Sequence, residues 1–242
     1  MRHAESWIFQ VGRFLPALLL CLFLLTAMSA TAGVVVGSPA DPGSGNFFPF
    51  GSAYNAEYQQ VYNSGQFGVS PITITNLEFF NTQYDSSATS TNTGTWTISL
   101  STTAVDWSTI SSTYASNIGG DNTEVFSGNL AQAWAFGDTL EIVLTTPFTY
   151  NPLDGNLLMD VVGSGVSAPG GNIYFDVNST NSAFSRVFCY SGIACSTGDV
   201  STGYGLVTGF DEGTSGVPEP SSVALFGLGI AVFGLARRRL SR

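Results

Sequence analysis

TWTISL, residues 95–100, alternates without a break: Trp96, Ile98 and Leu100 fall on one side, Thr95, Thr97 and Ser99 on the other. A side-chain period of two marks a strand with one buried and one wet face. The same pattern recurs outward from it. DTLEIVLTT (138–146) puts Leu140, Ile142 and Leu144 on one face and turns Glu141 away. GNIYFDV (171–177) directs Ile173, Phe175 and Val177 inward, with Tyr174 and Asp176 opposite. PITITNLEFF (71–80) alternates until Asn76-Leu77 shifts the phase, which predicts a bulge or bend there. Further strands are expected over 34–36, 156–163, 183–190 and 203–211, separated by the turn-forming clusters GGDN, NPLDGN and SAPGGN. No window of twelve residues carries a helical stripe. AQAWAFG (131–137) comes nearest and reads as a short strand or one turn before the Gly137-Asp138 corner, while 84–94 reads as a polar hairpin or loop.

These elements predict an all-β domain over 33–211, a single β-sandwich of jelly-roll type. The chain has 18 Phe and four Trp, most of them between Phe47 and Phe210, enough to fill a core of that size. Residues 33–50 are an irregular, Gly- and Pro-rich lead-in that holds the first short strand.

Charge is distributed unevenly. Of 17 acidic residues, fifteen lie between Gly33 and Val217; of seven basic residues, all arginine, only Arg186 does, which leaves that region at −14. Nucleic-acid binding rests on Lys and Arg neutralising phosphates, so such a field excludes it. Arg186 is expected to pair with a carboxylate on the sheet, with a ligand contact as the alternative.

The missing arginines stand at the ends. Arg2 and Arg13 precede an apolar run, and Ala30-Thr31-Ala32 follows it. Together they read as an export signal peptide over 1–32, cleaved after Ala32 or alternatively after Ala30; an uncleaved N-terminal anchor is the other reading. Export leaves Cys189 and Cys195, which bracket a short loop in an oxidising compartment and are expected to form a disulfide, with two free thiols as the alternative.

At the other end a Pro-punctuated linker (212–217) leads to residues 223–236, fourteen positions without a polar side chain. As a helix they span about 21 Å against a hydrocarbon core of about 30 Å, a short transmembrane segment that bilayer thinning and arginine snorkelling accommodate. Arg237, Arg238 and Arg239 hold its far end on the cytoplasmic side. The alternative is a terminal helix packed on the domain.

Pro218-Glu219-Pro220, then the short apolar span, then the arginine cluster: this three-part order over 218–242 resembles the bacterial PEP-CTERM sorting signal. The resemblance implies recognition by exosortase, a membrane-bound protease-transpeptidase, insertion in the lipid bilayer during sorting, and passage of the mature protein to the cell surface or beyond, amid extracellular polysaccharide. DNTEVFSGNL (121–130) and PFTYNPLDGNLLMDV (147–161) are similar to stretches of uncharacterised PEP-CTERM proteins. In the second, Phe148 and Tyr150 alternate, 151–156 turn the chain, and Leu157, Met159 and Val161 re-enter the core, which predicts a hairpin.

Chemistry is scarce. The single histidine, His3, leaves with the signal peptide, and the chain has no lysine. Histidine-based nucleophilic catalysis and histidine-ligated zinc are therefore unavailable to the mature body. Carboxylates remain, and glycoside hydrolysis needs two that face each other; Asp160, Asp176, Glu124 and Glu141 cannot be paired from sequence, and Asp160 and Asp176 are expected on the wet faces of their strands. Calcium is a candidate cofactor through Asp121 with Asn122 or Asp154 with Asn156, although no EF-hand-like loop is present. Trp107, Tyr114, Trp134 and Tyr174 are candidate sugar-stacking aromatics, each alternatively a core residue. The sequence thus reads as an exported surface or matrix protein without catalytic activity. The rival is a carbohydrate-binding module, calcium-assisted or not, and a carboxylate glycoside hydrolase ranks third.

Overall fold

The computed structural model describes residues 33–53, 55–179, 182–190 and 195–211. The signal peptide with Ala30 and Ala32, and the whole segment from the linker through Pro218, Glu219, Pro220, the 223–236 span and Arg237, Arg238 and Arg239, lie outside the described residues. Among the described residues no helix is long and apolar enough to cross a membrane.

Thirteen strands are described: β1 (Val34–Val36), β2 (Gly45–Asn46), β3 (Asn55–Tyr62), β4 (Ile72–Phe80), β5 (Thr93–Thr103), β6 (Thr123–Gly128), β7 (Thr139–Tyr150), β8 (Asn156–Ser167), β9 (Phe175–Asn178), β10 (Phe184–Tyr190), β11 (Asp199–Thr202), β12 (Gly205–Leu206) and β13 (Thr208–Asp211). The fold is all-β, and every pairing is antiparallel. One sheet has the order β1-β13-β4-β7, a second β11-β10-β3-β8-β5-β6, and a small third β12-β9-β2.

The pairings nest. β1 pairs with β13, β3 with β8, β4 with β7 and β5 with β6, as though one long hairpin had been rolled up with its halves dealt between two sheets. That is jelly-roll order, with β10 and β11 widening the larger sheet.

Inner faces follow the period of two. Ile74, Leu77 and Phe79 from β4 and Leu140, Ile142 and Phe148 from β7 meet Tyr58, Tyr62, Trp96, Ile98, Leu100, Met159 and Val161 of the larger sheet in one buried cluster. Aromatic edges tie the layers: the Tyr62 ring meets Phe210 at 4.9 Å and 89°, and Tyr62 Oη lies 2.8 Å from Thr208 Oγ1. The phase change in 71–80 appears as a register shift between Ile74 and Asn76, against β7, one residue before its expected place.

Two expectations need correcting. Residues 151–156 do turn the chain: Asn151 Oδ1 accepts from Leu153 N, Asn151 Nδ2 donates to Asp154 Oδ2, and Gly155 takes φ +151. A Cβ on Gly155 would stand 2.6 Å from the Thr103 carbonyl oxygen. Yet no hairpin results. β7 pairs with β4 and β8 with β3 and β5, so this turn is a corner that carries the chain between sheets. Second, β8 is buried on both faces from Leu157 to Val161. Its outer side, with Val61, Val187 and Cys189, lies against Ile110 and Tyr114 of the 104–121 segment and forms a second apolar cluster.

Cys189 and Cys195 are joined as a disulfide. In the chain-entropy picture a loop this short contributes about 2 kcal/mol. Reduction, or Cys195→Ser, is expected to lower the urea midpoint accordingly; an unchanged midpoint would show that the link adds nothing.

Candidate functional site

Three regions gather chemistry. The first is the outer face of the larger sheet. Register aligns Glu124, Ser99, Asp160, Gln59, Val187 and Val200 in one row across six strands, with Thr97, Val162 and Glu57 in the next. The 104–121 segment folds over the middle of this face through short 3-10 turns at Trp107–Thr109 and Tyr114–Ser116. Asn117 Nδ2 donates to Gln59 Oε1 at 2.9 Å, and Tyr114 Oη donates to the Glu57 carbonyl oxygen at 3.2 Å. Asp160 is therefore not a wet-face residue: it points away from the sandwich core but is 9% exposed.

Burial pushes the Asp160 carboxyl up to about 6; Gln59 beside it opposes the shift, but Gln59 Nε2 and Asp160 Oδ1 make no hydrogen bond of normal geometry. Burial, and then the charge of Asp160, push Glu57 up to about 7. The Tyr114 phenol is raised by burial and by Glu57, Asp160 and Asp199. Two carboxyls that hold protons near neutrality are the raw material of general-acid chemistry. Here the more buried of them is roofed by a packed loop, and hydrolysis of a glycoside requires that a substrate reach both.

The second region is the outer face of the smaller sheet. Glu78 stands directly opposite Glu141, with Asp211 paired to Asn76 one step away. Burial, then Asp211, then Glu141 raise Glu78. Asn76 Nδ2 donates to Glu141 Oε1 at 3.1 Å. Among the described residues no group of three or more His, Cys, Asp or Glu is arranged to hold a metal ion. Side chains nominated for calcium are bound to the protein: Asp121 Oδ1 accepts from Thr102 N at 2.7 Å, Asp154 Oδ2 from Asn151 Nδ2 at 2.9 Å and Asn156 Oδ1 from Ser64 N at 2.8 Å.

The third region is aromatic. Trp134 and Tyr114 are buried, and Trp107 is half-buried against the second cluster. Tyr174 is half-buried and packs at 4.7 Å and 45° on Tyr84, which is 43% exposed, while Phe47 abuts Tyr174 edge-on at 5.4 Å. Buried polar groups hold the two tyrosines. Asn81, 1% exposed, donates through Nδ2 to the carbonyl oxygens of both Tyr84 (3.0 Å) and Tyr174 (2.6 Å). Asp176 is not wet either. It lies buried and accepts from Thr82 N, Thr82 Oγ1 and Gln83 N, which fixes the turn just before Tyr84. Gly45 leaves the room beneath: a Cβ there would lie 2.8 Å from Tyr174 Cβ and 3.0 Å from Tyr84 Cβ.

Tyr84 has no signature of its own in the sequence, because it opens a stretch of Ser and Thr. Glu57 also escapes notice, because β3 reads NAEYQQVY, polar on both faces.

Among the described residues Arg186 pairs with no carboxylate. It points into the sandwich, its Cζ 4.5 Å from both the Phe188 and Tyr204 ring centroids, with Nε and Nη1 buried and without hydrogen-bond partners among the described residues. Cation–π contact on two faces takes the place of an ion pair.

None of these regions concerns the tail, whose proline-flanked glutamate, apolar span and terminal arginines stand outside the described body. Residues 216–239 are a PEP-CTERM protein-sorting motif. The PEP-CTERM match covers the tail alone and leaves the sandwich unclassified. It marks the chain for export through a C-terminal membrane-anchoring signal and for processing by exosortase, a membrane enzyme. No curated protein and no solved structure matches the chain.

Proposed function

We propose that this chain is an exported, non-catalytic surface or matrix protein, held in the inner membrane by its tail until exosortase releases the jelly-roll body. The PEP-CTERM motif at 216–239 carries this reading. The body supports it: an acidic β-sandwich in which Asp160, the more buried of the two carboxyls raised furthest, is tucked beneath a loop rather than open to a substrate. The signal peptide removes the N-terminal end, and the arginines orient the C-terminal one.

Replacing Arg237, Arg238 and Arg239 by glutamine tests it. The native chain should be recovered outside the inner membrane, with an intact mass lacking the segment beyond the motif's prolines. The variant should stay largely in the membrane fraction at uncleaved mass. Equal release of both, or cytosolic native chain with both ends intact, would contradict the proposal.

A second reading, in which the body binds carbohydrate, is favoured by one observation: an exposed Tyr84 stands beside a half-buried Tyr174 on buried polar supports.

A further inference from the structure

The Tyr84–Tyr174 pair is held more firmly than surface tyrosines ordinarily are. One buried amide, Asn81, bonds to both backbones; a buried carboxylate, Asp176, fixes the preceding turn with three hydrogen bonds; and a glycine, Gly45, clears the space under both side chains. Phe47 closes the far edge of Tyr174. Tyr84 keeps 43% of its surface in water despite this support. Rigid aromatic groups with few free torsions lose little entropy when a partner is laid on them, and aromatic anchors of this kind dominate binding energies.

We propose that Tyr84 and Tyr174 form a glycan-binding platform that selects polysaccharides without anionic groups. The inference rests on the second reading above and names its ligand class. Tyrosine rings stack on the C–H faces of pyranose rings, while their hydroxyls are left to bond with sugar hydroxyls. The charge of the body sets the selectivity. Residues from Gly33 to Val217 sum to −14, and their one cation, Arg186, is 6% exposed between two rings. Nothing among the described residues offers a uronate or sulfate an accessible counter-charge, and the field repels both. A neutral or amino-bearing glycan meets no such barrier.

The test uses the full-length chain in detergent, with cellohexaose, laminarihexaose, mannohexaose and chitohexaose as neutral probes and hexagalacturonate as the acidic one. Calorimetry should show binding of at least one neutral hexamer and none of hexagalacturonate. Tyr84→Ala and Tyr174→Ala should each weaken that binding by about tenfold, an expected loss of about 1.4 kcal/mol. Tyr84→Phe, which keeps the ring, should retain most of the affinity. Melting temperatures measured alongside separate lost binding from lost folding.

Neutral binding that both alanine variants leave unchanged would overturn the platform. Binding of hexagalacturonate alone, abolished by the tyrosine variants, would overturn the ligand class and leave the carbohydrate-binding reading intact. Binding of no probe would overturn both, while the fractionation result for the tail would stand apart.

Discussion

Replacing Tyr62 by alanine is expected to destabilise the body by about 3–5 kcal/mol, the range for removing a large aromatic from a filled core. Tyr62 is fully buried on β3, and its ring meets Phe67, Phe184 and Phe210 edge-on at 6.5, 6.2 and 4.9 Å. Phe210 belongs to the opposite sheet, so the alanine opens a cavity where the two layers touch. Tyr62→Phe separates the ring from its hydroxyl. The Thr208 hydroxyl already donates to the Leu206 carbonyl oxygen at 3.1 Å, so losing Tyr62 Oη leaves it one partner, and the loss should be nearer 1 kcal/mol. Urea unfolding of the two variants checks the ordering. A phenylalanine variant as unstable as the alanine one would place the stabilisation in the hydroxyl and not in the ring.

Stability should fall as the pH rises from about 4.5 to 7.5. Asp160 is raised in the folded state from 3.8 to about 6, and Glu57 from 4.5 to about 7. Between the unfolded and folded values the folded chain holds the extra protons, so the contribution is full below the unfolded value and is lost as pH climbs through the folded one. Glu78, also raised, acts in the same sense. Asp106 is lowered by the Ser108 hydroxyl and amide, so its contribution fails only at more acid pH, outside this window. Asp160 stands between Gln59 of β3 and Ser99 of β5, and Glu57 and Tyr114 lie near enough to feel its charge. For Asp160 a displacement of two units corresponds to about 3 kcal/mol. Asp160→Asn, which cannot ionise, should recover about 1–3 kcal/mol at pH 7.5 and reduce the slope, leaving the contributions of Glu57 and Glu78. Denaturation of native and variant proteins at both pH values decides it; a native chain that gains stability over this interval would refute the assignment.

What could be read from the sequence depended on how far each residue's role is local. TWTISL and DTLEIVLTT announced their strands because one face is apolar and the other polar, and β5 and β7 carry those faces as expected. β3 stayed hidden because its inward Gln60 serves as a piece of backbone. It accepts from Leu206 N and donates to the Leu206 carbonyl oxygen, both at 2.9 Å, so a polar side chain occupies an apolar position. β8 looked like an ordinary one-sided strand. Nothing near it in sequence reveals that residues 104–121 cover its other side. The turn at 151–156 was legible as a turn, since Asn151 and Gly155 act locally. Which sheet receives the next strand is a property of the whole topology. Asp176 and Arg186 failed for a related reason: their partners, the 82–83 turn and the Phe188 and Tyr204 rings, are chosen by the fold. The tail, by contrast, was legible because its features follow one another in order along the chain: Pro-Glu-Pro, an apolar span and an arginine cluster.

The rolled arrangement of strands carries a consequence for maturation. β13, which ends only a few residues before the sorting motif, is an interior strand held between β1 and β4. The last piece of the body to emerge from the export channel is thus the one that stitches the smaller sheet together. A maturation cut that strayed upstream of Thr208 would trim no dangling end; it would strip out a central stave and leave two raw strand borders ready to capture neighbouring molecules.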